Sequence, residues 1–283
     1  MSLWSFLRQP DVKERFKTEF PIPAMPIKKE LLAPPIIPTH AALVGTAFDY
    51  LLRFTIEHLN PSKFTHTDPR WIAESALPII LDKEGATGAY KKAVGILDSA
   101  WKSYNLFIPT GKISASLLRD TLLLAQLDVF YRAGYERGIT NFGVVEQGDI
   151  QDLQNLHALI NPVLFKAKDV CLLNPTFGEA SHLIGGADAD LIIDTMLIDI
   201  KTVKELKIQR EYINELIGYY SLNTLYQMTG IPEVPILQRF GLYFSRYGHL
   251  HSIEIKDVIN PKTYSAFLQW FKKRASHHGA TGE

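Results

Sequence analysis

Four aspartates and a lysine punctuate an otherwise apolar ribbon, Gly185-Gly186-Ala187-Asp188-Ala189-Asp190-Leu191-Ile192-Ile193-Asp194-Thr195-Met196-Leu197-Ile198-Asp199-Ile200-Lys201-Thr202. If Asp194-Thr195 is the tip of a two-residue hairpin, Asp190 stands opposite Asp199 and Asp188 opposite Lys201. Side chains alternate along a strand, so all four then project from one face. Directly opposed residues have Cβ atoms about 4.5 to 5.5 Å apart, and two carboxylates so close repel unless something neutralises them. A divalent cation does this. Magnesium or manganese takes hard oxygen ligands, often one or two carboxylates with waters and a substrate phosphate. Lys201 would reach the same space, there to orient or help deprotonate an attacking water and to stabilise charge developing at phosphorus.

The plain alternative is the polar face of an exposed hairpin. Against it, Ala189, Leu191, Ile193, Met196, Ile198 and Ile200 occupy the opposite face, and Ile192 and Leu197 make the acidic face partly apolar as well. A hairpin apolar on nearly both faces is buried, and buried carboxylates without a partner are costly. Asp-Thr is not a favoured type I′ pair, and an odd-length loop would change the register.

The elements that must hold this hairpin are readable from periodicity. Apolar positions recur at helical spacing over 41–59, 71–82, 87–104 and 113–134, and again from Gly148 to Ile160, where Asn161-Pro162 stops the pattern. Strands are predicted within 163–173 and 187–203, then a helix over 206–228, an extended stretch over 236–255 with a turn at Gly248, and a closing helix over 261–274. The fold class is therefore α/β (α+β), a small mixed β-sheet flanked by helices with a largely helical N-terminal half. Residues 1–39 read as an amphipathic arm and a Pro-rich segment (Pro21, Pro23, Pro26, Pro34, Pro35, Pro38) wrapped on the surface; residues 40–274 read as a single domain, and 275–283 as a frayed, flexible tail.

Nearly half of the residues are apolar, enough for a sizeable core. Thirty basic and thirty acidic residues balance, so any phosphate-binding surface must be local. The single cysteine, Cys171, excludes an internal disulfide and a cysteine-rich zinc site, and is expected to be a buried, inert thiol. No apolar run spans a bilayer and the start is unlike a secretory signal, so the expectation is a cytoplasmic protein with no membrane partner.

An acidic residue leading a strand, Asp190-Leu191-Ile192-Ile193, a short turn, and then Ile198-Asp199-Ile200-Lys201-Thr202 resemble motifs II and III of the PD-(D/E)XK nucleases, and the Asp-Ile-Lys-Thr ending is particularly similar to the RecB-like branch. The resemblance implies a restriction-endonuclease-like core and a Mg2+ (or Mn2+) dependent deoxyribonuclease. In it Asp190 and Asp199 bind metal and Lys201 serves the water, with Asp188 competing for the Asp190 position. It extends to two flanking helices. Gly45-Thr46-Ala47-Phe48-Asp49 is similar to the branch's Gly-x-x-x-His, with Asp49 at the histidine position, also a metal ligand. Glu215-Leu216-Ile217-Gly218-Tyr219 is similar to its Gln-apolar-x-x-Tyr, placing Glu215 and Tyr219 beside the site. DNA as partner, a separate helicase or ATPase, and a setting in DNA repair or phage defence are further implications.

Other residues are candidates on their own chemistry. Glu179 precedes the acidic strand and is a possible further metal or water ligand. Lys204, Lys207 and Arg210 follow Lys201 at near-helical spacing, and Arg246 ends a strand among aromatics; all four are candidate DNA contacts. His249 and His251 alternate on one strand, without a third ligand nearby. No Gly-rich phosphate loop and no nucleophile elbow is present. Two further readings stay open: Asp188-Ala189-Asp190 as the Asp-x-Asp of a metal-dependent glycosyltransferase, and a catalytically silent nucleic-acid-binding or scaffold module.

Overall fold

The computed structural model describes residues 2–22, 25–62, 64–65, 71–228 and 235–280; Pro23 and residues 281–283 of the expected tail lie outside them. Helices α1 (Leu3–Leu7) and α2 (Pro10–Glu19) precede an irregular strap, described over 20–22 and 25–37. The helical half follows, with α3 (Ala41–Leu59), a 3-10 turn (Ile72–Ser75) running into α4 (Ala76–Leu81), α5 (Thr87–Phe107), α6 (Ala115–Ala133), α7 (Tyr135–Gly138) and α8 (Gln147–Ala158). Strand β1 (Phe64–Thr65) is a stub within this half. Beyond it lie β2 (Cys171–Leu173), α9 (Gly178–His182), β3 (Leu191–Ile193), β4 (Met196–Lys201), α10 (Arg210–Gln227), β5 (Arg239–Phe244), β6 (His249–Glu254), α11 (Ile255–Val258) and α12 (Pro261–Ala280).

The six strands make one mixed sheet in sequence order. β1 and β2 are parallel, as are β4 and β5; the other neighbours are antiparallel. The parallel β4–β5 pair needs a crossover, which α10 supplies. β3 is buried on both faces, as its unbroken apolar sequence requires. Leu191, Ile193, Met196 and Ile198 enter the core shared with α3, α5 and α6, while Ile192 and Leu197 enter a second core with Phe240, Leu242 and Phe244. Ala189 belongs to this second core too, because the alternation breaks at the bend of Asp190.

The N-terminal arm does not wrap the surface. Leu3, Phe6, Phe16 and Phe20 are buried in the second core. Phe20 and Phe16 meet Phe267 at ring separations of 4.6 and 5.2 Å, and Phe6 meets Phe271 at 5.4 Å. Each such ring contributes about 1.5–3 kcal/mol on burial, so the segment is core and not arm. α1 can lie this close to α10 because residue 218 is glycine; a Cβ there would meet Leu3 at 2.9 Å. The expected tail is likewise ordered as far as Ala280, the closing helix running on past Arg274. Residues 163–173 are extended only over β2, since Pro162–Phe165 is a 3-10 turn. Cys171 is buried and its thiol is pushed up to about 12 by desolvation, as expected of an inert thiol. No described helix is long and apolar enough to cross a membrane.

Candidate metal centre

The hairpin forms with the anticipated register: Leu191 pairs with Ile198, Ile192 with Leu197 and Ile193 with Met196, leaving Asp194-Thr195 as the two-residue tip. Asp194 takes a φ of 51°, the left-handed region a tight hairpin needs. Its own carboxylate holds it there by accepting the backbone N–H groups of Lys168, Asp169 and Val170, at 3.1, 2.8 and 3.1 Å. This aspartate is structural.

At the open end of the hairpin, Asp190 leaves the ladder, and its Oδ2 accepts the Ile200 N–H at 2.7 Å. The cross-strand bond fixes Asp190 beside Asp199. Asp199 is buried, and its Oδ2 lies 2.8 Å from the Lys201 ammonium as an ion pair, with no aligned hydrogen bond. The ammonium also donates to Glu215 on α10 at 3.0 Å. Tyr212 stands with its ring 4.7 Å from the same nitrogen. From the other side α3 delivers Asp49. Residue 45 of that helix lies against Thr202, where a Cβ would just touch at 3.4 Å, and Asp49 follows one turn later. One Asp49 oxygen is ion-paired with Arg53, whose guanidinium also donates to Asn174 Oδ1; the other oxygen, Oδ1, is buried without a hydrogen-bond partner.

The electrostatics follow from crowding. Desolvation pushes the Asp49 carboxyl up to about 7, against the pull of Arg53 and with repulsion from Asp190. Burial likewise holds Asp199 well above the usual carboxylate range, Lys201 opposing and Asp190 and Glu215 adding. Burial alone would lower Lys201, but Asp199, Glu215 and Asp190 outweigh it and hold the ammonium above the ordinary lysine range. Lys201 is therefore a fixed cation in this state and not a base. Tyr219, behind Phe177, is raised by burial and then by Glu215, Asp190 and Asp199. Asp190 is the common term: its charge reaches Asp49, Asp188, Asp199, Lys201 and Tyr219.

No family model matches this chain, and no curated protein or solved structure is similar to it.

The site thus unites Asp49, Asp190, Asp199, Lys201, Glu215 and Tyr219. Asp188 sits at its exposed rim, bridged to Thr176, with its carboxyl raised by partial desolvation and by Asp190. Between the two competing aspartates, Asp190 is the one pinned between the strands. Glu179 is exposed on α9 and enters none of these ion pairs. Among the described residues no three His, Cys, Asp or Glu side chains form a ready-made metal cage. What fits a hard dication is Asp49 Oδ1, buried without a hydrogen-bond donor, beside the carboxylates of Asp190 and Asp199.

The expected DNA contacts divide. Lys204 and Lys207 are exposed, but on the loop before α10, which starts only at Arg210, so no helical spacing relates them. Arg210 donates to the Phe20 carbonyl at 2.9 Å and holds the end of α2. Arg246 is wholly buried, bidentate to Asp152 at 2.8 and 3.1 Å and bonded to the Ala33 carbonyl, and can touch no nucleic acid. Its position at a strand end among aromatics has a structural cause: the guanidinium ties the strap to α8. His249 and His251 stand adjacent on β6 with pKa values lowered by desolvation. Arg53 was missed by the reading of the sequence although it lies four residues after Asp49, the spacing of a helical ion pair.

Proposed function

We propose that this chain is a divalent-metal-dependent nuclease that hydrolyses phosphodiester bonds in DNA, its sheet serving as a restriction-endonuclease-like core of the PD-(D/E)XK type. The observation that carries the reading is the convergence of Asp190 and Asp199 from paired strands and Asp49 from α3, with Asp49 Oδ1 buried and unpartnered, around the ammonium of Lys201. Asp190 and Asp199, with Asp49, would hold Mg2+ or Mn2+, which supplies a water of lowered pKa and polarises the phosphate. Lys201 keeps its proton and meets the negative charge that grows on the phosphoryl oxygens. Glu215 fixes that ammonium by a second contact and limits the rotamers open to it. Arg53 sets the orientation of Asp49.

A catalytically silent nucleic-acid-binding or scaffold module has one observation in its favour: Arg53 and Lys201 already neutralise Asp49 and Asp199. One experiment separates the two. Purified protein is incubated with linear, circular and single-stranded DNA, with Mg2+, Mn2+ or EDTA, beside Asp199→Ala and Lys201→Ala, and Mn2+ binding is followed by calorimetry. The nuclease reading expects metal-dependent cleavage that both variants lose. No manganese binding and no cleavage would establish the silent module in its place.

A further inference from the structure

A cleft of about 500 Å3 opens on one side of the site, between α1, the start of α2 and the first turns of α10. Its floor includes Lys201 and Glu215, so it communicates directly with the acidic centre. Three features mark it as built for a ligand. Trp4 is exposed on a helix whose Leu3, Phe6 and Leu7 are all buried, and the Arg8 guanidinium lies 4.1 Å over its ring. Lys13 lines the same wall, held only by a 3.8 Å contact to Glu211 with both side chains largely in solvent. Asn214, at the inner end, is 3 % exposed, and its Oδ1 has no hydrogen-bond partner. A buried acceptor left unpaired costs about 1–3 kcal/mol, and such a group is accounted for when a ligand donates to it.

We propose that this cleft receives an unpaired nucleotide next to the bond to be cut, making single-stranded DNA, or a frayed end of a duplex, the preferred substrate. The inference rests on the nuclease reading for the meaning of its position, and on Trp4, Arg8, Lys13 and Asn214 for its chemistry. An exposed indole offers a stacking face to any base. Arg8 and Lys13 supply cations for the flanking phosphates, Lys13 being able to leave its loose, solvated contact with Glu211, while Glu215 is already committed to Lys201. Asn214 accepts an N–H from the base edge. The volume suits one nucleotide-sized ligand and not a double helix.

The test is binding in EDTA, where no hydrolysis interferes. Fluorescence anisotropy is measured for a labelled single-stranded oligodeoxynucleotide and for the same strand annealed to its complement. The strand alone is expected to bind about tenfold tighter than the duplex. Trp4→Ala should weaken single-strand binding by about tenfold, and Trp4→Phe should restore most of it, because the ring and not the indole nitrogen does the stacking. Arg8→Ala should weaken binding and flatten its salt dependence. Trp4 is solvent-exposed, so the variants fold, which a thermal melt verifies. Equal affinity for both forms, or wild-type affinity in Trp4→Ala, overturns the proposal. Its failure is separable from that of the nuclease reading. Metal-dependent cleavage lost in Asp199→Ala but indifferent to Trp4 leaves the nuclease without this cleft. Binding that depends on Trp4 without any cleavage leaves the cleft without the nuclease.

Discussion

Two buried charge clusters in this molecule are built on opposite plans. Arg246 and Asp152 are sealed from water, matched nitrogen to oxygen in a two-pronged pair, and closed by the Ala33 carbonyl; only Arg246 Nε lacks a partner. At the acidic centre, Asp49, Asp190 and Asp199 crowd together with two cations, and Asp49 Oδ1 remains without a donor. The first cluster is balanced in charge and holds three segments in place. The second is frustrated, and Asp49 and Asp199 are pushed towards protonation by burial and by the neighbouring carboxylates, against the pull of Arg53 and Lys201. Strain of this kind persists where it serves function, which is why we read only the second as a working site.

The comparison can be broken from either side. The largest expected effect is Asp199→Asn: cleavage falls by about a thousandfold while the melting temperature stays or rises, since the change removes an ill-matched buried charge and leaves Lys201 its Glu215 partner. Cleavage kinetics and a thermal melt on the same sample check both halves. Arg246→Ala should do the reverse. It strands the Asp152 carboxylate in the interior and costs about 3–5 kcal/mol in urea unfolding, with near-normal turnover per folded molecule. Glu215→Gln, which loosens the ammonium without touching the metal ligands, should lower the cleavage rate by about tenfold. The smallest effect concerns pH. The folded Asp49 titrates at about 7 against 3.8 for an ordinary aspartate, so the folded state holds a proton that the unfolded chain releases. In EDTA, stability should therefore fall as pH rises from 4 to 7 and level off above. Asp49→Asn should flatten that slope in melts across the range, and added Mn2+ should offset the loss in the parent protein.

Why one cluster was legible in the sequence and the other was not has a physical reason. The hairpin is local: a two-residue tip between two short apolar runs fixes its register, so Asp190, Asp199 and Lys201 are placed together by the sequence alone. The long helices were equally readable from their 3.6-residue period, and α3 runs over the span anticipated for it. Arg246 looked like a surface cation because its burial depends on Asp152 and Ala33, which are 94 and 213 residues away along the chain. The turn residue Asp194 was an unfavourable choice by local rules; the backbone donors at 168–170 that reward it come from a different segment. The N-terminal helices could have been read better. Ser2 caps α1 in a capping box and Pro10 opens α2, both start signals, and Phe16 and Phe20 share one face. Trp4, Tyr212 and Asn214 left no signal, because the cleft exists only once α1 has docked on α10.

The packing of Phe16 and Phe20 on Phe267 also sets the order in which this protein can be completed. Those aromatic rings are covered by a helix far along the chain, where Arg274 reaches Asp11 across a separation of 263 positions. Until that non-local contact forms, a sticky apolar surface stays open to water. Such delayed, non-local closure slows folding and exposes nascent chains to aggregation, so the yield of native protein should respond to chaperone supply and to the tempo of synthesis.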